Sequence, residues 1–174
     1  PRAVQLIMQT GQRVEELARL HVDQWDAEER IIDWSKTKNE QPHAVPVPLL
    51  AAELIESLKP NEYGWFFPSA KDPKKPVSHG TLYSFVWRQR DRGVIPYATN
   101  RDLRRTFKTL AGKAGVSKEI RDRLQNHALQ DVSSKHYDRW HYMVEKRAGM
   151  AKWDRFVRAL LKRKKANNPL RQAA

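Results

Sequence analysis

Residues 101–115, RDLRRTFKTLAGKAG, carry an apolar pattern that is typical of a helix packed on a core. Five apolar side chains recur at helical spacing and share one helix face: Leu103, Phe107, Leu110, Ala111 and Ala114. Gly115 is typical of a helix C-terminus, and Ser117 can cap a following helix that buries Ile120 and Leu124. The stretch therefore predicts two packed helices joined by a short turn.

The sequence before this stretch predicts two helices, a small sheet and two further helices. Apolar residues at helical spacing run to Met8 and resume from Arg13 to Leu20, with a break at Gly11. Three short stretches rich in alternating or β-branched residues favour an antiparallel sheet: 21–25, 30–34 and 44–47. The remaining segments are predicted as two helices and the loop between them: 48–58, 78–92 and 61–76.

The C-terminal part is predicted to be helical and to end in a basic tail. A shorter segment runs from 128 to 137, and an amphipathic helix covers 147–161. The helix 147–161 has enough apolar surface to dock on its own chain or on a neighbouring copy. Residues 162–174, KRKKANNPLRQAA, lack periodicity and are interpreted as a mobile basic tail. The fold class is thus mostly α with a small antiparallel sheet (α+β), with one domain at 1–161.

Composition restricts the class of partner. The chain has 174 residues, 33 Lys and Arg against 20 Asp and Glu, a net charge of +13 and a pI near 10.2. Such an excess indicates a polyanion, either nucleic acid or, less often, an anionic membrane surface. The absence of cysteine excludes disulfides and cysteine-ligated metals and fits a reducing compartment. No apolar run approaches the roughly 18 residues that span a bilayer, and the first residues lack a signal-peptide layout.

Two segments hold arginines suited to an anion. In TGQRVEEL, Arg13 follows a glycine break at a helix start, and Glu16 can orient its guanidinium one turn later. The alternative for this spacing is an ordinary surface ion pair. In RDLRRTFKT, Arg101, Arg104 and Lys108 share one helix face, where they repel one another unless an anion lies among them. The alternative is a solvated basic face.

A third segment, LQNHALQDVSSKHYDRWHY, contains His127 and Tyr137. Each alone is more often structural: a satisfied polar histidine and a packed aromatic with a wet hydroxyl. Together with Lys38 in the predicted sheet loop and the two arginines, they form a set suited to phosphodiester chemistry. The set needs no metal or other cofactor, and the sequence has no convincing carboxylate cluster for Mg²⁺.

These segments, in this order, resemble the tyrosine recombinases of the phage integrase type over about residues 3 to 160. TGQRVEEL is similar to the first arginine box of that family, SKTKNEQPHAVPV to its hairpin lysine segment, and RDLRRTF to its second box. The sequence HYDRW, followed by EKRAGMAKW, most resembles P4-like prophage and integrative-element integrases. The resemblance implies a DNA-breaking and rejoining enzyme of the bacterial cytoplasm that acts on double-stranded DNA with other recombinase protomers, without a membrane partner.

The resemblance also implies a role for each matching residue. Tyr137 is the nucleophile that forms a 3′-phosphotyrosine link, with Tyr142 as the competing candidate. Arg13 and Arg104 clamp the scissile phosphate. Lys38, or less plausibly Lys36, protonates the leaving oxygen. In the supporting positions, His127 hydrogen-bonds the phosphate, while Glu16 and Asp102 hold the arginines from behind.

The chain departs from the family pattern in two respects. Arg101 occupies the usual histidine position of the second box, and a guanidinium cannot accept the proton of the tyrosine. Either His127 or water accepts that proton, or Arg101 lowers the pKa of the phenol through its charge. The family's N-terminal DNA-clamping domain is also missing, which predicts a trimmed catalytic domain. The competing hypothesis from another class is a DNA-binding module whose catalytic boxes are relics.

Overall fold

The computed structural model describes residues 2–34, 42–127 and 141–166. These residues form seven α-helices, a single turn of 3₁₀ helix at Val22–Gln24 and one sheet. The helices are α1 (Arg2–Thr10), α2 (Val14–Ala18), α3 (Leu49–Glu56), α4 (His79–Asp91), α5 (Asn100–Lys113), α6 (Lys118–Leu124) and α7 (Met143–Ala166). The strands are β1 (Trp25–Asp26), β2 (Ile31–Trp34) and β3 (His43–Pro46), in the antiparallel order β1-β2-β3. The predicted fold class, mostly α with a small antiparallel sheet, is confirmed.

Helix α1 lies in the core and ends where the sequence predicts. It buries Leu6 and Ile7 and contacts α2, α3 and α5. Gly11 has a φ of 70°, a left-handed conformation that favours glycine, and a Cβ there would overlap the ring of Phe107. The absence of a side chain at Gly11 therefore lets α5 pack directly against the junction of α1 and α2.

Helices α5 and α6 follow the predicted pattern. Phe107 and Ala111 are buried, and Gly115 has a φ of 85° just after the C-terminus of α5. The hydroxyl of Ser117 accepts a hydrogen bond from the backbone N–H of Ile120 at 3.3 Å, which caps α6 as expected.

The first predicted strand is wrong over most of its length. Only Trp25 and Asp26 pair with β2, whereas His21 makes an isolated bridge to Trp65. Two local side-chain bonds explain the difference: the His21 ring accepts from the N–H of Asp23 at 3.3 Å, and Gln24 Oε1 accepts from the N–H of His21 at 3.0 Å. Such bonds compete with strand pairing. The other two strands form as predicted, with Ile32 opposite Val45 and Trp34 opposite His43.

Helix α7 docks on its own chain. Met150 and Trp153 are buried, and the Trp153 indole donates a hydrogen bond to the carbonyl of Gln9 at 2.7 Å. Its ring lies edge-on to Phe107 with the centroids 5.2 Å apart. Leu160, expected on the docking face, is instead 43% exposed.

The basic segment at the C-terminus also differs from the prediction. Helix α7 continues through Ala166, so residues 162–166 are helical and the proposed boundary at 161 falls inside a helix. Lys and Arg are good helix formers, and their charge complements the dipole at a helix C-terminus. The predicted segment at 128–137 and the positions Lys36, Lys38 and Tyr137 lie outside the described residues.

Candidate active site

Arg13 lies at the position just before α2, directly after the Gly11 turn. Its Nη1 donates to Glu16 Oε1 at 2.8 Å and its Nη2 to the carbonyl of Asn126 at 3.1 Å. The backbone N–H of Arg13 also donates to Glu16 Oε2 at 3.3 Å. The Arg13–Glu16 contact expected from the spacing is therefore present, and the Glu16 carboxylate is buried. The guanidinium is oriented from two sides before any ligand arrives.

Arg104 reaches the same place from α5. Its Nη1 donates to the carbonyl of Gly11 at 3.0 Å, and its Nη2 donates to the carbonyl of Gln125. Burial and the neighbouring charge of Arg13 lower the pKa of Arg104 to about 10, and Glu16 opposes that shift. Arg104 thus stays protonated at neutral pH. The guanidiniums of Arg13 and Arg104 repel each other, and this repulsion destabilises the free protein. Such an arrangement is typical of a site that binds an anion.

Two buried amides join the segments that carry these arginines. Gln125 Nε2 donates to the carbonyls of Gly11 at 3.2 Å and Arg104 at 3.0 Å. Gln12 Nε2 donates to the carbonyls of Thr10 at 2.9 Å and Leu124 at 2.8 Å. Each amide donates to carbonyls of different segments. These bonds fix the positions of the two arginine segments and the start of the His127 segment relative to one another.

His43 connects this network to the hairpin that is predicted to carry Lys38. With both Gln12 Nε2 protons donated to carbonyls, Gln12 Oε1 accepts from His43 Nε2 at 3.1 Å. Burial, together with the charges of Lys146, Arg104 and Arg13, lowers the pKa of His43 to about 3. The ring is therefore neutral, with its proton on Nε2. His43 faces Trp34 across the last described pair of the hairpin.

His127 lies just beyond α6, half-buried, with its Nδ1 near two charged groups. Lys108 Nζ is 3.2 Å and Asp122 Oδ1 is 3.1 Å from that nitrogen, and Lys108 and Asp122 are 2.5 Å apart. Burial lowers the pKa of His127, with Arg104 and Lys108 acting in the same direction and Asp122 opposing them. The imidazole is therefore mainly neutral at neutral pH.

A cleft of about 210 Å³ opens over the arginines. Eight residues line it: Gln12, Arg13, Val14, Glu15, Tyr83, Asn100, Arg101 and Arg104. Arg101 is exposed at its rim, and its guanidinium makes no hydrogen bond or ion pair with any residue that the structure describes. Three guanidiniums around one cleft can bind a phosphate and neutralise charge that develops on its oxygens.

Asp102 does not contact Arg13 or Arg104 within the described part of the chain. Its Oδ2 accepts from the N–H of Thr99 at 2.8 Å and from the Thr99 hydroxyl at 2.7 Å, and its Oδ1 lies 3.4 Å from Arg105. These bonds lower the pKa of Asp102. The carboxylate caps the N-terminus of α5, because it is the third residue of the helix and can reach back to Thr99. The support expected from Asp102 is therefore indirect.

The remaining candidates divide between described and undescribed residues. Tyr142, the competing nucleophile, has its ring beneath the guanidinium of Arg123, 3.4 Å from the ring centroid. Such a contact is typical of a packed aromatic. Lys38 and Tyr137 fall outside the described residues, so their roles stay predictions.

Several residues of the site have no signal in the sequence. The roles of Gln12, Gln125 and His43, and the pairing of Lys108 with Asp122, depend on contacts between distant segments. The only local hint is that Gln12 and Gln125 lie next to or near predicted site residues. Among the described residues, no group of three or more His, Asp or Glu is placed to hold a metal, and no helix is long and apolar enough to cross a membrane.

Comparisons with known proteins identify the fold. The integrase from mycobacterium phage Brujita has a TM-score of 0.71 at 19% identity, covering 88% of this chain and 50% of its own. XerA recombinase has a TM-score of 0.62 at 20% identity, covering 79% of this chain and 57% of its own. A lambda integrase dimer bound to a COC′ core site has a TM-score of 0.59 at 20% identity, covering 80% of this chain and 52% of its own. The chain thus spans about half the length of these structures. No curated protein matches it.

The sequence itself supplies the assignment. The profile of the phage integrase family matches residues 2–141, a range that includes every predicted site residue from Arg13 to Tyr137. Within that range the described boxes converge on one cleft, in a fold shared with solved recombinases. On these grounds, the chain belongs to the phage integrase family.

Proposed function

We propose that this chain is the strand-cleaving part of a site-specific DNA recombinase that integrates or excises a mobile element. One observation carries the proposal: Arg13 and Arg104, 91 positions apart in the sequence, are held at one cleft through Gly11, Gln125 and Asn126. The net charge of +13 supports a DNA partner. The names of matched structures support it too, since lambda integrase is bound to a core site and XerH recombinase to a difH substrate.

The proposed chemistry combines the two arginines of the cleft with the predicted roles of Tyr137 and Lys38. The hydroxyl of Tyr137 loses its proton and attacks the scissile phosphorus, forming a 3′-phosphotyrosine bond as the bond to the 5′ oxygen breaks. Arg13 and Arg104 neutralise the charge that develops on the non-bridging oxygens. Lys38 donates a proton to the departing 5′ oxygen. Rejoining reverses these steps with a 5′-hydroxyl, and no external energy source is needed because the covalent link retains the bond energy.

Two further points belong to the same proposal. The HYDRW and EKRAGMAKW segments support a P4-like prophage or integrative-element integrase, and we infer from this that the reaction takes place on bacterial DNA in the cytoplasm. A lambda integrase tetramer bound to a Holliday junction is among the matched structures, which supports assembly of several protomers on DNA.

The nucleophile provides the decisive test. We expect Tyr137→Phe to bind duplex DNA like the wild type and to form no covalent adduct, while Tyr142→Phe still forms one. The substrate is a nicked duplex carrying the recombination site, which loses its 5′-hydroxyl strand on cleavage and so accumulates the adduct. Peptide mapping by mass spectrometry then identifies the linked tyrosine.

The outcomes of this test separate the competing readings. An adduct on Tyr142 would overturn the assignment of the nucleophile and leave the enzyme class intact. If the wild type binds the site and forms no adduct under any condition, the chain is a DNA-binding module with relic catalytic boxes. Salt-sensitive binding alone does not distinguish the two functions, because both involve many phosphate contacts.

A further inference from the structure

The ring of His127 is flanked by an ion pair that the family resemblance does not assign. Lys108 comes from α5 and Asp122 from α6, and both meet the same ring nitrogen, Nδ1, at 3.2 and 3.1 Å. The pair itself is the shortest of the three contacts, at 2.5 Å. The sequence places Lys108 on the same helix face as Arg101 and Arg104, where a bound anion was expected. In the structure, Lys108 instead forms an ion pair with Asp122 of the same chain.

Asp122 is held in its ionised form. Its side chain is only 15% exposed, and burial acts to raise its pKa, but hydrogen bonds from Lys108 and His127 outweigh burial and lower it. Lys118 adds a second, more distant ammonium at 3.9 Å. An ionised carboxylate can only accept hydrogen bonds.

The state of the imidazole follows from these partners. A neutral histidine has one N–H and one lone pair, so the partner of Nδ1 determines what Nε2 can do. The two contacts of Nδ1 require opposite tautomers: Lys108 can only donate and needs a lone pair on Nδ1, whereas Asp122 can only accept and needs a proton there. The Asp122 contact is the shorter of the two, and Lys108 already donates to Asp122 at 2.5 Å, so the carboxylate is the favoured, charge-assisted partner of an Nδ1 proton. With the proton on Nδ1, the lone pair is on Nε2.

We propose that Asp122 is a positioning residue that keeps the proton of His127 on Nδ1 and so makes Nε2 the proton acceptor of the site, with Lys108 holding Asp122 in place. This inference rests on the proposed function. In that reaction the phenol of Tyr137 gives its proton to Nε2, and the electron pair of the broken O–H bond forms the new bond to phosphorus. The imidazolium keeps its Nδ1–H on Asp122, and its new Nε2–H can donate to a phosphate oxygen. Arg101 cannot accept the proton, because it has no lone pair to offer.

The first test needs neither DNA nor catalysis. The full chain is labelled with ¹⁵N-histidine, and the ring nitrogens of His127 are followed by NMR over a pH titration, with His127→Gln assigning the signals. We expect the Nδ1–H tautomer in the wild type and its loss in Asp122→Ala. We also expect opposite shifts in the pKa of His127. Asp122→Ala lowers it, because an anion is removed, whereas Lys108→Met raises it, because a cation is removed.

A matched pair of controls exists in the loop between α3 and α4. Asp72 and Lys75 form an exposed ion pair at 3.1 Å, so Asp72→Ala and Lys75→Met remove the same groups from a separate ion pair. Neither control is expected to change the titration of His127. A dominant Nε2–H tautomer in the wild type, or shifts of the same sign in Asp122→Ala and Lys108→Met, would overturn the inference. Lys108→Met keeps the test valid even if Asp122→Ala folds poorly.

The second test measures adduct formation on the nicked duplex as a function of pH. We expect Asp122→Ala to lower the maximal rate about tenfold to a hundredfold. The rate falls at low pH as His127 becomes protonated, so the acid limb of the pH–rate profile should follow the pKa of His127. It should move to lower pH in Asp122→Ala and to higher pH in Lys108→Met. Besides Asp122 and Lys108, the charge of Arg104 acts on this imidazole and is common to all variants. Unmoved limbs would overturn the catalytic part of the inference, whereas a wild type without any adduct would refute the proposed function and leave the NMR result standing.

Discussion

The two sides of helix α5 hold cations in opposite ways. On the inner side, Arg104 is half-buried and donates to two backbone carbonyls from other segments. On the outer side, Arg105 is 69% exposed and, among the described residues, forms its ion pair with Asp102 of its own helix at 3.4 Å. The comparison teaches that sequence adjacency says little about the role of a basic residue. A guanidinium fixed before the ligand arrives can act on a transition state, whereas a solvated one contributes mainly to general attraction.

The largest effect should come from breaking the inner side. We expect Arg104→Ala to lower adduct formation by about 10²–10³-fold, which corresponds to the loss of one donor at a developing anion. DNA affinity should change only modestly, because many other cations contribute to it. Arg105→Ala is the matched control on the adjacent position and should cleave at nearly the wild-type rate. Single-turnover adduct assays and gel-shift titrations measure the two quantities. Equal losses in both variants would contradict the distinction between the two sides.

A second, smaller effect should come from the turn on which Arg104 rests. We expect Gly11→Ala to lower the free energy of unfolding by about 2–3 kcal/mol, because it combines backbone strain with overlap of the Phe107 ring. Gly93→Ala is the control: its φ of 68° is similar, but nothing lies within 4 Å of the added Cβ. Its cost should be limited to the strain of about 1–2 kcal/mol. Urea denaturation gives both values, and equal costs would show that the close packing at Gly11 contributes nothing.

The smallest effect is expected at the rim of the cleft. Arg101→Ala should weaken DNA binding slightly and reduce the slope of log affinity against log salt by about 0.9, the value for one lost phosphate contact. At saturating DNA its adduct rate should stay within about tenfold of the wild type, since none of the described residues holds this guanidinium in place. Binding titrations at several salt concentrations measure the slope. A loss as large as that of Arg104→Ala would place Arg101 among the residues that act on the transition state.

Much of the fold follows from local pattern. The apolar spacing in α5, the caps at Ser117 and Gly115 and the break at Gly11 all act within a few residues, so they were predictable. The first strand was not, because local bonds of His21 and Gln24 compete with pairing in a way that alternation does not reveal. The length of α7 was underestimated because its last turns, being basic on all sides, carry no apolar period.

The site divides in the same way. The family, the basic character and the candidate residues for the reaction are all readable from the sequence, since they depend on residue type and order. The sequence also predicted the Arg13–Glu16 contact, which joins neighbours on one helical turn. The contacts of Arg104 with Gly11 and Gln125, and of Lys108 with Asp122 beside His127, come from the packing of the folded chain. Each of these bonds joins segments that are distant in the sequence, so they meet only when the buried faces of the helices pack together.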